Sequence, residues 1–397
     1  MTSEYFAALA AAAATRARRA GCSTRAAECV RFVSSRHCSP PLQCSMPGAS
    51  LSVAFPHRPL RLFALSDVHT DFPDNQAWLE ALSQNDFRGD ALVLAGDVSD
   101  DSAILEATLR GLKARFAHVL FVPGNHELWV TRKASTKARD SLVKLHDVLA
   151  LCARLGVHTE PTLLAGDTPG ATPVLVVPLL SWHHASFDTE PDIDWLDIPP
   201  ASKVMTDYVA CSWPAGVDDR SDDVARLLDS LNDETWERKG FHPDAARECA
   251  PHVVTASHFQ PRIELCPEKR FLFFPNLTKA IGSTFLGQRV QRIRPDVHIY
   301  GHTHFAYDLT LDDGIRYIQA ALAYPHERKS RMSTLSIGDL KHGGPVLIYD
   351  SAGPGAFADR YECRWSDYYA SHQRQPESRE VPEWVSKRYK AKEGALP

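Results

Sequence analysis

Short apolar runs alternate with segments of helical periodicity from residue 60 onward. Six of the runs predict strands, at residues 61–65, 91–95, 118–122, 174–180, 253–256 and 297–300. Between the first three runs, apolar positions recur at helical spacing over residues 75–83 and 102–115. Strands that alternate with helices of this length indicate βαβ units and a mainly parallel sheet.

The second half of the chain continues this pattern with longer helices and a hairpin. Residues 131–155 and 279–292 are predicted to be helical. Asp312-Asp313-Gly314 separates apolar runs at 305–311 and 315–320, and this turn composition predicts a β-hairpin. A last strand is predicted at residues 345–349.

These patterns divide the chain into three parts. The main domain is predicted at residues 59–350. It carries an insertion at about 182–250, whose tryptophans, aspartates and prolines suggest a lid or wall over the sheet rather than a separate core. Residues 351–397 are predicted to form a peripheral tail, and residues 1–58 a disordered or transit-peptide-like extension.

The N-terminal extension is distinguished by its charge. Residues 1–61 contain eight arginines, no lysine and two acidic residues, a composition typical of organellar transit peptides. A disordered extension and a start codon assigned too early are the alternatives. We therefore expect an intracellular soluble protein, located in the cytoplasm or, if the transit peptide operates, in a plastid or mitochondrion.

Composition argues against several other classes of protein. The net charge of −5 gives no reason to expect nucleic acid or an anionic membrane as a partner. No apolar run approaches the roughly 20 residues that span a bilayer. The nine cysteines are scattered without zinc-site spacing, which favours free thiols in a reducing compartment over disulfides.

Five polar motifs follow apolar runs in a fixed order. They are Asp67-Val68-His69, Gly96-Asp97, Gly124-Asn125-His126-Glu127, His258 and Gly301-His302-Thr303-His304. Because open α/β sheets place their sites at the carboxyl ends of strands, these side chains are expected to converge. Together they form a ligand set for two metal ions.

Each of the two ions needs hard or borderline donors and a shared carboxylate between them. Asp97, central in the order, is the expected bridge. Asp67, His69 and His304 would complete the ligands of one ion, and Asn125, His258 and His302 those of the other. Mn²⁺, Fe and Zn²⁺ all suit this mixed set, so the native pair stays open.

The series DxH, GDxxD, GNHE, H and GHxH resembles the calcineurin-like metallophosphoesterase superfamily over roughly residues 60–350. The resemblance implies a four-layer α/β/β/α sandwich of two facing mixed sheets. It also implies that His126 contacts the scissile phosphate and protonates the leaving oxygen, with Asp100 as its partner. An N-cap of the helix that begins near residue 102 is the alternative for Asp100, and Glu127 is expected to be structural.

Hydrolysis of a phosphoester is the expected reaction. A hydroxide shared by the two ions would be the nucleophile, since metal binding lowers the pKa of water toward neutrality. A phosphatase is favoured over a phosphodiesterase of the same fold. A non-catalytic scaffold that binds protein partners is a third alternative, although it predicts eroded ligands that this chain does not show.

Departures from the motifs of the superfamily bear on the substrate. The Ser/Thr phosphatase branch carries GDxxDRG, and here Asp101 stands in place of the arginine. Residues 179–187 and 323–328 resemble tracts of a poorly characterised branch instead. Within these tracts, His183, Tyr324 and Arg328 are candidate substrate contacts.

Overall fold

The fold consists of two sheets packed face to face with helices on both outer surfaces. The computed structural model describes residues 52–55, 59–130, 138–166, 172–330, 345–353 and 355–392. The strands are β1 (Ser52–Phe55), β2 (Arg61–Leu65), β3 (Ala91–Ala95), β4 (His118–Val122), β5 (Thr162–Gly166), β6 (Val174–Pro178), β7 (His252–Ala256), β8 (Val297–Tyr300), β9 (Tyr307–Thr310), β10 (Arg316–Gln319) and β11 (Val346–Asp350).

The helices separate or follow these strands. They are α1 (Pro73–Ala81), α2 (Ser102–Arg115), α3 (Ser141–Leu155), α4 (Ala201–Val204), α5 (Asp207–Ala210), α6 (Asp223–Lys239), α7 (Ala246–Cys249), α8 (Thr284–Ile293), α9 (Pro325–Ser330), α10 (Arg364–Ser371) and α11 (Glu383–Ser386). Short 3-10 turns, such as His126–Leu128, complete the loops.

Both sheets are mixed. The larger has the order β1-β5-β6-β7-β8-β10-β9, and the smaller has the order β11-β2-β3-β4. Strands β2, β3 and β4 are parallel to one another, as are β6, β7, β8 and β10. The carboxyl ends of two parallel sets can therefore supply side chains to one site.

An apolar layer lies between the two sheets. Residues that share this layer include Leu62, Val93, Leu120, Val176, Val254 and Ile299. A second cluster packs α1, α2 and α3 on the outer face of the small sheet, and a third packs α6 and α8 on the outer face of the large one. The predicted four-layer sandwich is therefore confirmed.

Most predicted elements agree with the structure to within a few residues. The exception is the long helix predicted at 131–155, which begins only at Ser141. Asp140 caps it by accepting a hydrogen bond from the backbone N–H of Val143 at 2.9 Å. Residues 131–137 lie outside the described residues. Strand β5 was not predicted, because its residues, 162–166, show no alternation that separates them from a loop.

Near both ends of the predicted domain, the structure differs from the sequence-based expectation. Strand β1, within the predicted extension, pairs in parallel with β5 and so extends the larger sheet. The rest of the extension, residues 1–51 and 56–58, lies outside the described residues. The C-terminal segment is less peripheral than expected, because Cys363 and Ser366 are fully buried and α10 packs beside β9.

Two sequence-based expectations concern features outside the sheets. Within the described residues, Cys152, Cys211, Cys249, Cys266 and Cys363 are free thiols. The four N-terminal cysteines lie outside the described residues. Among the described helices, none combines the length and the apolar character that crossing a membrane requires.

Loss of side-chain volume in the layer between the sheets should strongly lower the stability of the protein. Leu120 is fully buried there, so Leu120→Ala should lower the free energy of unfolding by about 3 kcal/mol in urea titrations. Val204→Ala, at a site that is 47% exposed, is the matched control and should change it by less than about 0.5 kcal/mol. Equal effects of the two substitutions would contradict this assignment of the core.

Candidate metal centre

The five sequence motifs converge where the two sheets meet. Asp67, Asp97 and Asn125 follow β2, β3 and β4 of the small sheet. His258 and the pair His302 and His304 follow β7 and β8 of the large sheet. A backbone bridge between Ser66 and Ala321 joins the ends of β2 and β10 beside these loops. All seven predicted ligands are thus brought together.

Two groups of possible ligand atoms share one carboxylate. The first group is Asp67, His69, Asp97 and His304, and the second is Asp97, His258 and His302. Within each group the ligand atoms lie within 4.8 Å of one another. Asp97 belongs to both groups, the position that a bridging ligand would occupy.

In the first group the imidazole nitrogens already face each other. Nε2 of His69 lies 3.1 Å from Nε2 of His304, which in turn lies 3.5 Å from Oδ1 of Asp67. In the second group, Nε2 of His258 lies 3.4 Å from Oδ2 of Asp97. The side-chain oxygen of Asn125 lies 2.9 Å from that Nε2 and so belongs to the same cluster.

Neighbouring carbonyls and carboxylates select the nitrogen that each histidine presents. Nδ1 of His258 donates to the carbonyl of Ala95 at 2.9 Å, which leaves Nε2 for the site. Nε2 of His302 donates to the carbonyl of Ala280 at 2.9 Å, so its Nδ1 faces Asn125 at 3.0 Å. Hydrogen bonds of this kind fix the tautomer and ring orientation of metal-binding histidines.

The third oriented histidine has a carboxylate partner. Nδ1 of His304 lies 2.5 Å from Oε2 of Glu327, a residue of α9. This carboxylate–histidine pair leaves Nε2 directed at Asp67 and His69. Glu327 belongs to the tract 323–328, but no local signal marks this role, because 23 residues separate it from His304 along the chain.

The loops that carry these side chains adopt strained backbone conformations. Five of the seven residues, Asp67, His69, Asp97, His302 and His304, have φ between 40° and 76°. Non-glycine residues rarely adopt positive φ, and such conformations cluster at functional sites where surrounding structure enforces them. Here the loops support one another, since the N–H of Asp67 donates to the carbonyl of Gly96 at 3.0 Å.

Close packing around Asp97 leaves room only for glycine at two positions. A Cβ at Gly124 would lie 2.2 Å from Oδ1 of Asp97. A Cβ at Gly96 would lie 2.4 Å from Nδ1 of His258, and Gly96 itself has φ of 79°. These motif glycines therefore let the backbone approach the proposed ligands closely.

Glu127 holds the Asp97 loop in place. Its carboxylate accepts from the backbone N–H groups of Asp97, Val98, Ser99 and Gly124 at 2.7–3.1 Å. Burial and the charge of Asp97 raise the pKa of Glu127 to about 7, and the backbone donors oppose this rise. The structure agrees with the structural role expected for Glu127.

The protonation states differ among the clustered groups. Burial would raise the pKa of Asp97, but His258 and His126 hold it well below the usual range. Desolvation lowers the pKa of His302 to about 3. It also acts on His258 and His304, where nearby carboxylates prevail and raise the pKa to about 9 and about 10. A cation bound here would therefore displace protons.

The donor chemistry fits divalent ions. The cluster combines buried carboxylate oxygens, an amide oxygen and imidazole nitrogens, the hard and borderline ligands suited to Mn²⁺, Fe²⁺ and Zn²⁺. Nδ1 of His69 is buried without a hydrogen-bond partner among the described residues. Its Nε2 is the nitrogen that faces His304, at 3.1 Å.

His126 lies beside the cluster rather than within it. Its Nε2 lies 3.7 Å from Oδ2 of Asp97 and 3.2 Å from the hydroxyl of Tyr324, and its ring packs at a tilt against Trp129. Burial lowers the pKa of His126, whereas the charge of Asp97 opposes this effect. Burial therefore works against the protonated form that a general acid needs, and Asp97 favours it.

The two aspartates of the GDxxD motif have different surroundings. Asp101 caps α2 by accepting from the N–H groups of Ala103 and Ile104 at 2.8 and 3.3 Å, so the N-cap alternative for Asp100 is wrong. The backbone carbonyl of Asp100 accepts from Nζ of Lys144 at 2.8 Å. Pairing of Asp100 with His126 stays a prediction.

The three candidate substrate contacts occupy different positions. The ring of Tyr324 packs on His69 with centroids 4.3 Å apart, and burial raises the pKa of its phenol, which therefore keeps its proton. His183 is buried, 3.3 Å from the carboxylate of Asp207. Nη1 of Arg328 donates to the carbonyls of Leu322 and Ala323.

Asp207, from the insertion, is a neighbour of the site that sequence analysis did not identify. Its Oδ1 accepts from Nδ2 of Asn125 at 2.9 Å and from the indole N–H of Trp129 at 2.7 Å. The insertion contributes apolar residues such as Ala210 and Val224 to a cluster that also contains Trp129. No local motif marks Asp207 in the sequence.

Comparison with known proteins gives concordant results. A family model described as calcineurin-like phosphoesterase matches residues 60–306. The [acyl-carrier-protein] phosphodiesterase PptH of Mycobacterium tuberculosis is 25% identical over 274 residues, which cover 68% of this chain and 80% of PptH. The crystal structure of that phosphopantetheinyl hydrolase matches with a TM-score of 0.53 and 22% identity, covering 76% of this chain and 99% of the other.

The carboxylate behind His304 should matter for metal affinity. Glu327→Gln keeps the size of the side chain but removes the charge that holds the imidazole, so we expect affinity for Mn²⁺ to fall about 10-fold or more. Isothermal titration of the metal-free protein measures this change. Glu106→Gln, on the exposed side of α2, is the control. Unchanged affinity in Glu327→Gln would contradict the orienting role.

Proposed function

Because the chain belongs to the calcineurin-like phosphoesterase family, we propose that it is a metal-dependent phosphodiesterase whose metal centre is formed by the seven clustered residues. The proteins of this family are hydrolases that act on phosphoester bonds by means of divalent metal ions. The observation that carries the proposal is the sharing of Asp97 by two adjacent groups of ligand atoms.

In this proposal, Asp67, His69, Asp97 and His304 hold one ion and Asp97, Asn125, His258 and His302 hold a second. The ions would supply Lewis acidity toward the phosphoryl oxygens and lower the pKa of a coordinated water. The protein fixes the ligands through Glu127, Glu327 and backbone carbonyls, so the electrostatic field is in place before the substrate arrives.

His126 is the proposed proton donor to the leaving oxygen. It stands beside both ligand groups; burial lowers its pKa, and the neighbouring carboxylate of Asp97 opposes this effect. The hydroxyl of Tyr324, 3.2 Å from Nε2 of His126, is a second donor at the same place and is proposed to contact the substrate. Asp100 is retained as the proposed partner of His126.

Cationic groups near the site bear on the choice between monoester and diester. A dianionic monoester benefits from a guanidinium that binds two phosphate oxygens. Here Asp101 caps a helix where the Ser/Thr phosphatases carry arginine. The side-chain nitrogens Nζ of Lys144 and Nη1 of Arg328 are bonded to backbone carbonyls. These observations favour the diester over the phosphatase that sequence analysis preferred.

The relative suggests a substrate class. PptH is named an [acyl-carrier-protein] phosphodiesterase and a phosphopantetheinyl hydrolase, and the present chain covers 80% of it. We therefore propose the phosphodiester that joins a phosphopantetheinyl group to a carrier protein as the first substrate to test. Phosphatase activity toward small monoesters is the alternative outcome.

The test compares two synthetic esters and one protein substrate. Protein reconstituted with Mn²⁺ should hydrolyse bis-p-nitrophenyl phosphate faster than p-nitrophenyl phosphate. It should also remove the phosphopantetheinyl mass from a holo carrier protein in mass spectra. A preference for the monoester would overturn the diesterase proposal, and an unchanged carrier protein would overturn the proposed substrate class.

Substitutions identify the residues responsible. His126→Ala should lower kcat on the diester by about 10²–10⁴-fold, the usual contribution of a positioned proton donor. Asp97→Asn should abolish turnover and weaken binding of Mn²⁺. His372→Ala, on the exposed C-terminal segment, is the matched control. Full activity of Asp97→Asn would rule out a metal centre built on this carboxylate.

A further inference from the structure

Asp207 is a buried carboxylate that the insertion delivers to the metal centre. It is the first residue of α5, and only 3% of its surface is exposed. Burying a charge is costly unless partners compensate for it. Oδ1 of Asp207 accepts from Asn125 and Trp129, and its Oδ2 lies 3.3 Å from Nε2 of His183. Asn125 is a proposed metal ligand, and Trp129 packs against the proposed proton donor.

The contact with Asn125 determines which end of its amide faces the site. An asparagine amide has an acceptor oxygen and a donor NH₂ group of similar size, so only hydrogen bonds distinguish its two orientations. Oδ1 of Asp207 accepts from Nδ2 of Asn125 at 2.9 Å. The amide oxygen is thereby directed at His258 and His302, at 2.9 and 3.0 Å. The flipped amide would present hydrogen atoms to a cation instead.

The contact with Trp129 links Asp207 to His126, the proposed proton donor. The indole N–H of Trp129 donates to the same Oδ1 of Asp207 at 2.7 Å. The indole ring packs against the imidazole of His126 in a tilted arrangement, with ring centroids 3.6 Å apart and an interplanar angle of 32°. One carboxylate oxygen therefore fixes both the amide of Asn125 and the ring that supports His126.

We infer that Asp207 is a positioning residue through which the insertion completes the metal centre. It holds the oxygen of Asn125 toward the cation and the indole of Trp129 against His126. The inference rests on the proposed ligand role of Asn125, and it does not depend on the identity of the substrate. The segment around 182–250 is therefore part of the catalytic assembly rather than only a wall over the sheet.

Metal affinity tests the inference separately from activity. Asp207→Ala removes the acceptor, so the Mn²⁺ ion held with Asn125 should bind about 10–100-fold less tightly, as is usual when a group that orients a ligand is lost. Isothermal titration measures the affinity, and loss of the exchange-coupled Mn²⁺ pair in electron paramagnetic resonance at limiting Mn²⁺ shows that one of the two sites is empty. Asp244→Asn, an exposed acid of the same insertion paired with Arg292, should leave both unchanged.

A more conservative substitution addresses folding. Asp207→Asn keeps an acceptor oxygen but loses its charge, and charge-assisted hydrogen bonds are about twice as strong as neutral ones. Asp207→Asn should therefore lose about half as much Mn²⁺ binding free energy as Asp207→Ala. If thermal unfolding shows that Asp207→Ala does not fold, the Mn²⁺ affinity of Asp207→Asn tests the inference instead. Wild-type metal affinity in the folded variants would overturn the inference.

A double substitution tests whether Asp207 acts through Asn125. Asn125→Ala combined with Asp207→Ala should bind Mn²⁺ no more weakly than Asn125→Ala alone, because the two side chains form one unit. Additive losses would overturn the inference. If wild-type protein binds two Mn²⁺ ions yet hydrolyses no diester, the proposed function fails while the positioning role of Asp207 stands.

Discussion

The carboxylate of Asp97 is the point on which the site depends. It is buried between the ends of two sheets, where an unpaired charge would be strongly destabilising. His258 and His126 lie beside its Oδ2, and the backbone N–H of His126 donates to its Oδ1 at 3.0 Å. Glu127 in turn binds the backbone of the loop that carries Asp97. The strained turns, the motif glycines and the facing sheets all serve to bring compensating groups to this one side chain.

Much of this arrangement could be predicted from the sequence, because local signals encode it. Apolar runs such as 91–95 define strands, and each motif follows its strand directly, so topology alone brings Asp67, Asp97 and Asn125 to one edge. The contacts of Asp207 and Glu327 could not be predicted in this way. Both depend on tertiary packing of segments that carry no periodic signal, 82 residues from Asn125 in one case and 23 from His304 in the other. For helix α3 the sequence pattern predicts too early a start, at residue 131, whereas the helix begins after the Asp140 cap.

The groups that orient the proposed metal ligands come from two kinds of source. Tautomers of His258, His302 and His304 are set by Ala95, Ala280 and Glu327, and the orientation of Asn125 is set by Asp207. The first two of these partners are backbone carbonyls, which any sequence supplies. The last two are side chains from segments outside the strand-end motifs. The support of His304 and Asn125 therefore depends on segments that could vary independently of the sheets that carry the ligands.

The proposed function requires seven side chains to hold two metal ions that share Asp97. A crystal structure of protein grown with Mn²⁺, with anomalous diffraction recorded at the manganese edge, tests it most directly. Two anomalous peaks are expected about 3.5–4 Å apart, with the carboxylate of Asp97 between them. A single peak, or peaks away from the two groups of ligand atoms, would contradict it.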